Sequence, residues 1–132
     1  MIKHFFPANR ANLYTDRGIL YDKLGNDVQA LSDYNMAIEI YPPYAEAYMN
    51  RGISYFKTRK FAHTISDFNK AIELKPDYKD AYFNRGLFYF QMKEYAKSRA
   101  DLYKAEELGA VINPAMMSVL KKLSDQRWQG HE

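Results

Sequence analysis

Two charged residue types recur in this 132-residue chain at one spacing: Arg17, Arg51 and Arg85 stand 34 residues apart, and so do Asp33, Asp67 and Asp101. Three arginines in register could clamp an anionic ligand through bidentate guanidinium hydrogen bonds. The competing reading is an internal ladder. If the chain folds back near the fifteenth residue of each 34-residue unit, arginine and aspartate reach almost the same height, and partly buried charges are rarely left unpaired. The ladder is therefore expected, with each arginine paired to an aspartate of its own unit or the next. Other reactive groups form no constellation. His4, His63 and His131 are far apart and have no cysteine or carboxylate at metal-ligand spacing. Glu106 and Glu107 are adjacent, so on a helix they face different directions and cannot flank one substrate. No phosphate-binding glycine loop or nucleophile elbow is present. These absences point away from an enzyme and imply no metal and no cofactor.

The elements that must position the charges emerge from self-comparison at an offset of 34 residues. Besides Arg and Asp, further columns are identical three times, among them Tyr14/Tyr48/Tyr82, Gly18/Gly52/Gly86, Tyr21/Tyr55/Tyr89 and Ala37/Ala71/Ala105. Tyr48, Gly52 and Tyr55 fall at i, i+4, i+7, and Phe61, Ile65, Phe68, Ala71 and Ile72 keep the same period, so each unit reads as two helices. Pro42 and Pro76 stop the second helix of their units. Glycine and the small residues Ala30, Thr64 and Ser98 remove bulk where helices cross, and aromatics such as Tyr55 and Phe68 fill the flanks. Asn113-Pro114 followed by Met116, Val119, Leu120 and Leu123 predicts a last helix from 114 to 127 that caps the third hairpin.

Composition sets the limits. The length suits one domain, and a net charge of +3, from 19 basic and 16 acidic residues without blocks, argues against a nucleic-acid partner. Cysteine is absent, which is compatible with a reducing compartment. No stretch approaches the roughly 18 apolar residues of a membrane span, so no membrane insertion is expected and the localisation read here is cytoplasmic. Residues 1–10 carry no period, and the parent protein is expected to extend further at its N-terminus.

The pattern Tyr48-x3-Gly52-x2-Tyr55-x8-Thr64-x3-Phe68-x2-Ala71-x4-Pro76 resembles the tetratricopeptide-repeat signature, and the resemblance extends over residues 11–112 as units 11–44, 45–78 and 79–112, with 113–132 as capping helix and tail. Departures are Asp27 in place of the usual aromatic, Thr64 and Ser98 in place of alanine, and Ala110 where proline belongs. The resemblance implies an all-α fold, an α-solenoid of three antiparallel helical hairpins, and a protein-interaction module that grips a peptide or helix in a groove lined by the first helices. By resemblance the groove positions are Asn12, Thr15, Ile19, Asp22 and Lys23; then Glu46, Met49, Ile53, Phe56 and Lys57; then Asp80, Phe83, Leu87, Phe90 and Gln91. Asn50 and Asn84 also belong to the expected site. Met49, Ile53, Phe56, Phe83, Leu87 and Phe90 would form an exposed apolar patch, implying an adaptor or scaffold whose partner carries apolar anchors. The alternative is self-association into a homo-oligomer through the same groove, with Ile2, Phe5 and Phe6 of another copy as occupant. Family members that grip the acidic C-terminal tails of heat-shock chaperones carry lysine, asparagine and arginine where this chain has Thr15, Ile19, Asn50, Asp80 and Asn84. Only Asn50 agrees, so such tails are not expected among the partners.

Overall fold

The computed structural model describes residues 6–129, which form seven helices: α1 (Pro7–Lys23), α2 (Asp27–Ile40), α3 (Ala45–Lys57), α4 (Phe61–Leu74), α5 (Lys79–Gln91), α6 (Tyr95–Glu107) and α7 (Pro114–Gln129). Ile2, His4, Phe5 and His131 lie outside the described residues. The helices α1/α2, α3/α4 and α5/α6 pair as hairpins. The chain divides into two compact units, Met1–Pro76 with the first two hairpins and Asp77–Glu132 with the third hairpin and α7. Within the first, α3 packs on both α1 and α2; within the second, α7 packs on α6.

Each hairpin turn is built the same way. The residues at equivalent positions 25, 59 and 93 are left-handed, with φ of 80° at Gly25 and 62° at Arg59 and Lys93. The next amide then reaches back to the tyrosine carbonyl in the last turn: Asn26 N–H to Tyr21, Lys60 to Tyr55 and Glu94 to Tyr89, each at 2.8 Å. This is the Schellman closure, which satisfies carbonyls that the end of a helix would otherwise leave free. Asn26 adds a side-chain cap by accepting from the Gln29 amide.

Close approach of the two helices in each hairpin requires glycine. A Cβ on Gly52 would lie 2.8 Å from the Phe68 ring, one on Gly18 2.6 Å from Tyr34, and one on Gly86 2.8 Å from Leu102. Those three large side chains are buried, as are Ala37, Ala71 and Ala105. The two hydroxyls that replace alanine in the crossing are also buried, and both are satisfied: Thr64 Oγ1 donates to Lys60 O and Ser98 Oγ to Gly86 O. Two boundaries differ from expectation. Helix α1 starts four residues before position 11, because Pro7 occupies its first turn, where the missing N–H costs nothing. Helix α6 stops without a proline, because Gly109, at φ 107°, closes a Schellman turn through the Ala110 N–H to Ala105 O.

A left-handed position costs an L-residue about 1 kcal/mol, which glycine avoids. Gly25→Ala is thus expected to lower stability by about 1 kcal/mol, and Lys93→Gly to raise it by up to about the same amount. Urea midpoints at constant m-value check both signs.

Candidate functional site

The repeated charges form the ladder, closed within each hairpin. Arg17 donates from Nε and Nη2 to both carboxylate oxygens of Asp33 at 2.8 and 2.7 Å, Arg51 does so to Asp67 at 2.8 Å twice, and Arg85 to Asp101 at 2.7 Å twice. Each guanidinium also lies against two tyrosine rings of its own helix: Arg17 against Tyr14 and Tyr21, Arg51 against Tyr48 and Tyr55, and Arg85 against Tyr82 and Tyr89, at 5.4–5.9 Å. The aspartates are buried. Hydrogen bonding to the carboxylate holds all three arginines further toward the charged form than usual. The repeated Arg, Asp, Tyr, Gly and Ala columns therefore have structural tasks, and these guanidiniums are already engaged by carboxylates.

In the first unit the expected site positions lie on α1 and α3. Thr15 is buried, with its hydroxyl donating to Ala11 O, and Met49 is buried with 8% of its surface exposed. Asp22 accepts from the Tyr34 hydroxyl at 2.7 Å and from Ser54 Oγ at 3.1 Å, while the Lys57 ammonium reaches its backbone and side-chain oxygens at 3.2 and 3.5 Å. A buried oxygen of Asp27, which has no hydrogen-bond partner, faces the same ammonium at 3.8 Å. Asp22 and Lys57 thus join the two hairpins of this unit. Burial first, then the hydrogen bond to Asp22, pushes the Tyr34 hydroxyl above the ordinary tyrosine range.

Tyr34 was not among the sequence candidates, yet a signal existed. Asp22 and Tyr34 stand where the other units have Phe56 or Phe90 and Phe68 or Leu102, so a polar pair replaces an apolar pair at two positions together. Asn12 accepts from the Tyr44 hydroxyl at 2.7 Å. Tyr44 is also shifted upward, by burial and by the carboxylates of Glu46 and Asp16. Asn50 donates its side-chain amide to Glu46 O. Ile19, Glu46, Asn50, Ile53 and Phe56 remain partly accessible, and Asn12, Lys23 and Lys57 are exposed. The Phe56 ring packs on Phe61 at 5.7 Å.

In the second unit Phe83 and Phe90 pack against the cluster of Leu102, Ala105, Ile112 and Leu120, which Met116 and Met117 of α7 also cover. Phe90 stacks edge-on with Tyr95. Leu87 and Asn84 are half-buried, and Asn84 donates to Asp80 O. The expectation of an exposed apolar patch is corrected here: Met49 belongs to the interior, and Phe83 and Phe90 give much of their surface to the α6–α7 core. Among the described residues no cluster of His, Cys, Asp or Glu could hold a metal, and no helix is long and apolar enough to cross a membrane.

Sequence profiles of the tetratricopeptide repeat match residues 45–78 and 68–100. No similarity to a curated protein reaches significance. The first TPR of Spaghetti (RPAP3), bound to the HSP90 peptide SRMEEVD, is 28% identical and superimposes with a TM-score of 0.78 over 90% of this chain and 94% of its own. The first TPR domain of human RPAP3 is 28% identical, with a TM-score of 0.77 over 89% and 92%. The second TPR of Spaghetti, bound to the same peptide, shares the fold at 23% identity, with a TM-score of 0.73 over 82% and 99%. These complexes correct one expectation. The exclusion of acidic chaperone tails as partners is overturned by similar domains that carry such a tail. It had treated five polar or basic positions as indispensable, whereas a peptide with Met and Val also offers apolar side chains and a backbone to hold.

Two measurements test the site's internal bonds. Asp67→Asn is expected to cost about 2–3 kcal/mol, because it unpairs a largely buried guanidinium. Asp33→Asn should cost less, since Arg17 is 58% exposed and solvent screens it. With its pKa raised on folding, the stability that Tyr34 contributes is complete below the ordinary tyrosine pKa of about 10 and is lost as pH rises above it. Alkaline unfolding monitored by circular dichroism should therefore be less steep in Tyr34→Phe than in the wild type.

Proposed function

Since the chain is a tetratricopeptide-repeat protein, a protein-interaction module by family, we propose that it works as an adaptor that holds a short partner segment along the inner face of its first helices. The observation that carries this reading is the Spaghetti domain, 28% identical over 90% of this chain, bound to the heptapeptide SRMEEVD. Accessible groups on α1 and α3 suit such a ligand. Ile19, Ile53 and Phe56 offer apolar surface to side chains such as Met and Val. Asn50, whose amide N–H is anchored on Glu46 O, keeps its oxygen free to accept from a peptide backbone. Lys23 lies at one end of these helices and attracts carboxylates, Lys57 beside it being already paired with Asp22 and Asp27, while Glu46 at the other end opposes them, which favours one peptide direction. The second unit adds apolar surface on α5, where Leu87 and the accessible edges of Phe83 and Phe90 are apolar, and Asn84 stands at the sequence position equivalent to Asn50. Apolar burial contributes most of the affinity in this reading, because burying one large side chain is worth about 1.5–3 kcal/mol and an exposed ion pair about 0–1.

Calorimetry with SRMEEVD tests the proposal. A dissociation constant on the order of 10 μM is expected, about −7 kcal/mol. Ile53→Ser should weaken it at least about tenfold, which is about 1.4 kcal/mol, and Asn50→Ala less, with circular dichroism unchanged in both. Absence of binding at millimolar peptide, or binding indifferent to both substitutions, would sink the groove as the site.

A further inference from the structure

The outer face of α1 is open. Leu13, Leu20 and Leu24, exposed at 69%, 59% and 80%, succeed Phe6 at spacings of 7, 7 and 4 and so form one apolar stripe along the helix. A cavity of about 300 Å³ lined by Arg10, Leu13, Tyr14 and Arg17 opens on the same face. Scattered exposed leucines are ordinary, whereas a continuous stripe on one helix marks an interaction surface.

The first unit contains its own template for the element that covers such a face. On α3 the equivalent positions, Ala47 and Ser54, are fully buried. Helix α2 lies against α3, where Ala37 packs with Ala47 and Asn35 Oδ1 accepts from Arg51 Nη1 at 2.9 Å. Arg17 makes the same bonds to its aspartate as Arg51, yet its Nη1 has no acceptor among the described residues, and the side chain is 58% exposed against 21% for Arg51. The unmet donor and the open stripe coincide. The helix that meets this need on α3 carries Asp27, Asp33 and Glu39 and no basic residue, and Arg10 adds a positive charge beside Arg17 on the open face.

We propose that the outer face of α1 docks an acidic amphipathic helix of a partner protein, one that presents small apolar side chains to Leu13 and Leu20 and a side-chain oxygen to Arg17. Leucines in place of Ala47 and Ser54 act as knobs, so the occupant is a helix with alanine- or serine-sized holes opposite them. This site is separate from the groove on the inner faces and can be occupied at the same time.

The test uses the full chain and a synthetic peptide of residues 27–40, whose sequence forms the covering helix at the equivalent face. Fluorescence anisotropy is expected to show saturable binding with a dissociation constant below about 1 mM. Leu13→Ser with Leu20→Ser, both at exposed positions, should weaken it at least fivefold with the thermal midpoint kept, and Asn35→Ala in the peptide should weaken it as well. SRMEEVD binding should be unchanged in the double variant, so that the groove and this face fail or succeed independently. The proposal is overturned by no saturation up to about 1 mM, by binding that survives the double substitution, or by sedimentation showing that the wild type dimerises through this face and the double variant does not.

Discussion

The hairpin of this protein depends on one bonded group, a guanidinium held edge-on by a buried carboxylate and flanked by two tyrosine rings. The aspartate sits on the second helix sixteen residues after the arginine, so the two oxygens set the height of one helix against the other. A bidentate pair tolerates little sliding or rotation, which makes it a register device as much as a source of stability. The tyrosines one turn either side limit the arginine's rotamers and keep water from one partner. Glycine one residue after the arginine then allows the second helix to come close enough for the bonds to form. Removing the glycine would defeat the ion pair as surely as removing the aspartate, because both act on the same interhelical distance.

With the hairpins held in this way, the positions that differ between repeats are free to serve contact with neighbours. In the first unit the polar pair Asp22–Tyr34 takes the place that aromatic or aliphatic pairs hold elsewhere, and it lets Ser54 and Lys57 of the next hairpin bond across. The junction between the two hairpins is therefore partly electrostatic. In the second unit the same positions are apolar, and α7 closes the hairpin with Leu120, Met116 and Met117. A large aromatic on a first helix can thus face a ligand or a neighbouring helix, depending on which element comes next in the chain.

Much was legible in the one-dimensional pattern because it depends on periodicity and repetition. Three hairpins, their turns near the fifteenth residue, the stop before Pro42 and Pro76, the Arg–Asp pairing and the last helix all rest on local geometry that recurs every 34 residues, and recurrence separates signal from accident. The candidate site was less legible. Glu46, Asn50, Ile53 and Phe56 are partly accessible, but Met49 is buried and Phe83 and Phe90 share a core with α7. Register assigns a residue to a side of its helix and says nothing of how near the next helix stands.

The sequence alone determined the class of element, the count of hairpins and the identity of the groups that lock each one, because backbone hydrogen bonding and the 3.6-residue period act within a few turns of chain. Tertiary structure decided which partly apolar faces are covered and which stay open. That outcome depends on how near a neighbouring helix stands: α1 and α2 both pack against α3, where Ala47 and Ser54 are buried, whereas nothing among the described residues covers Leu13 and Leu20 on α1. Burial is a property of the neighbour as much as of the residue, and the neighbour is known only when the chain has folded.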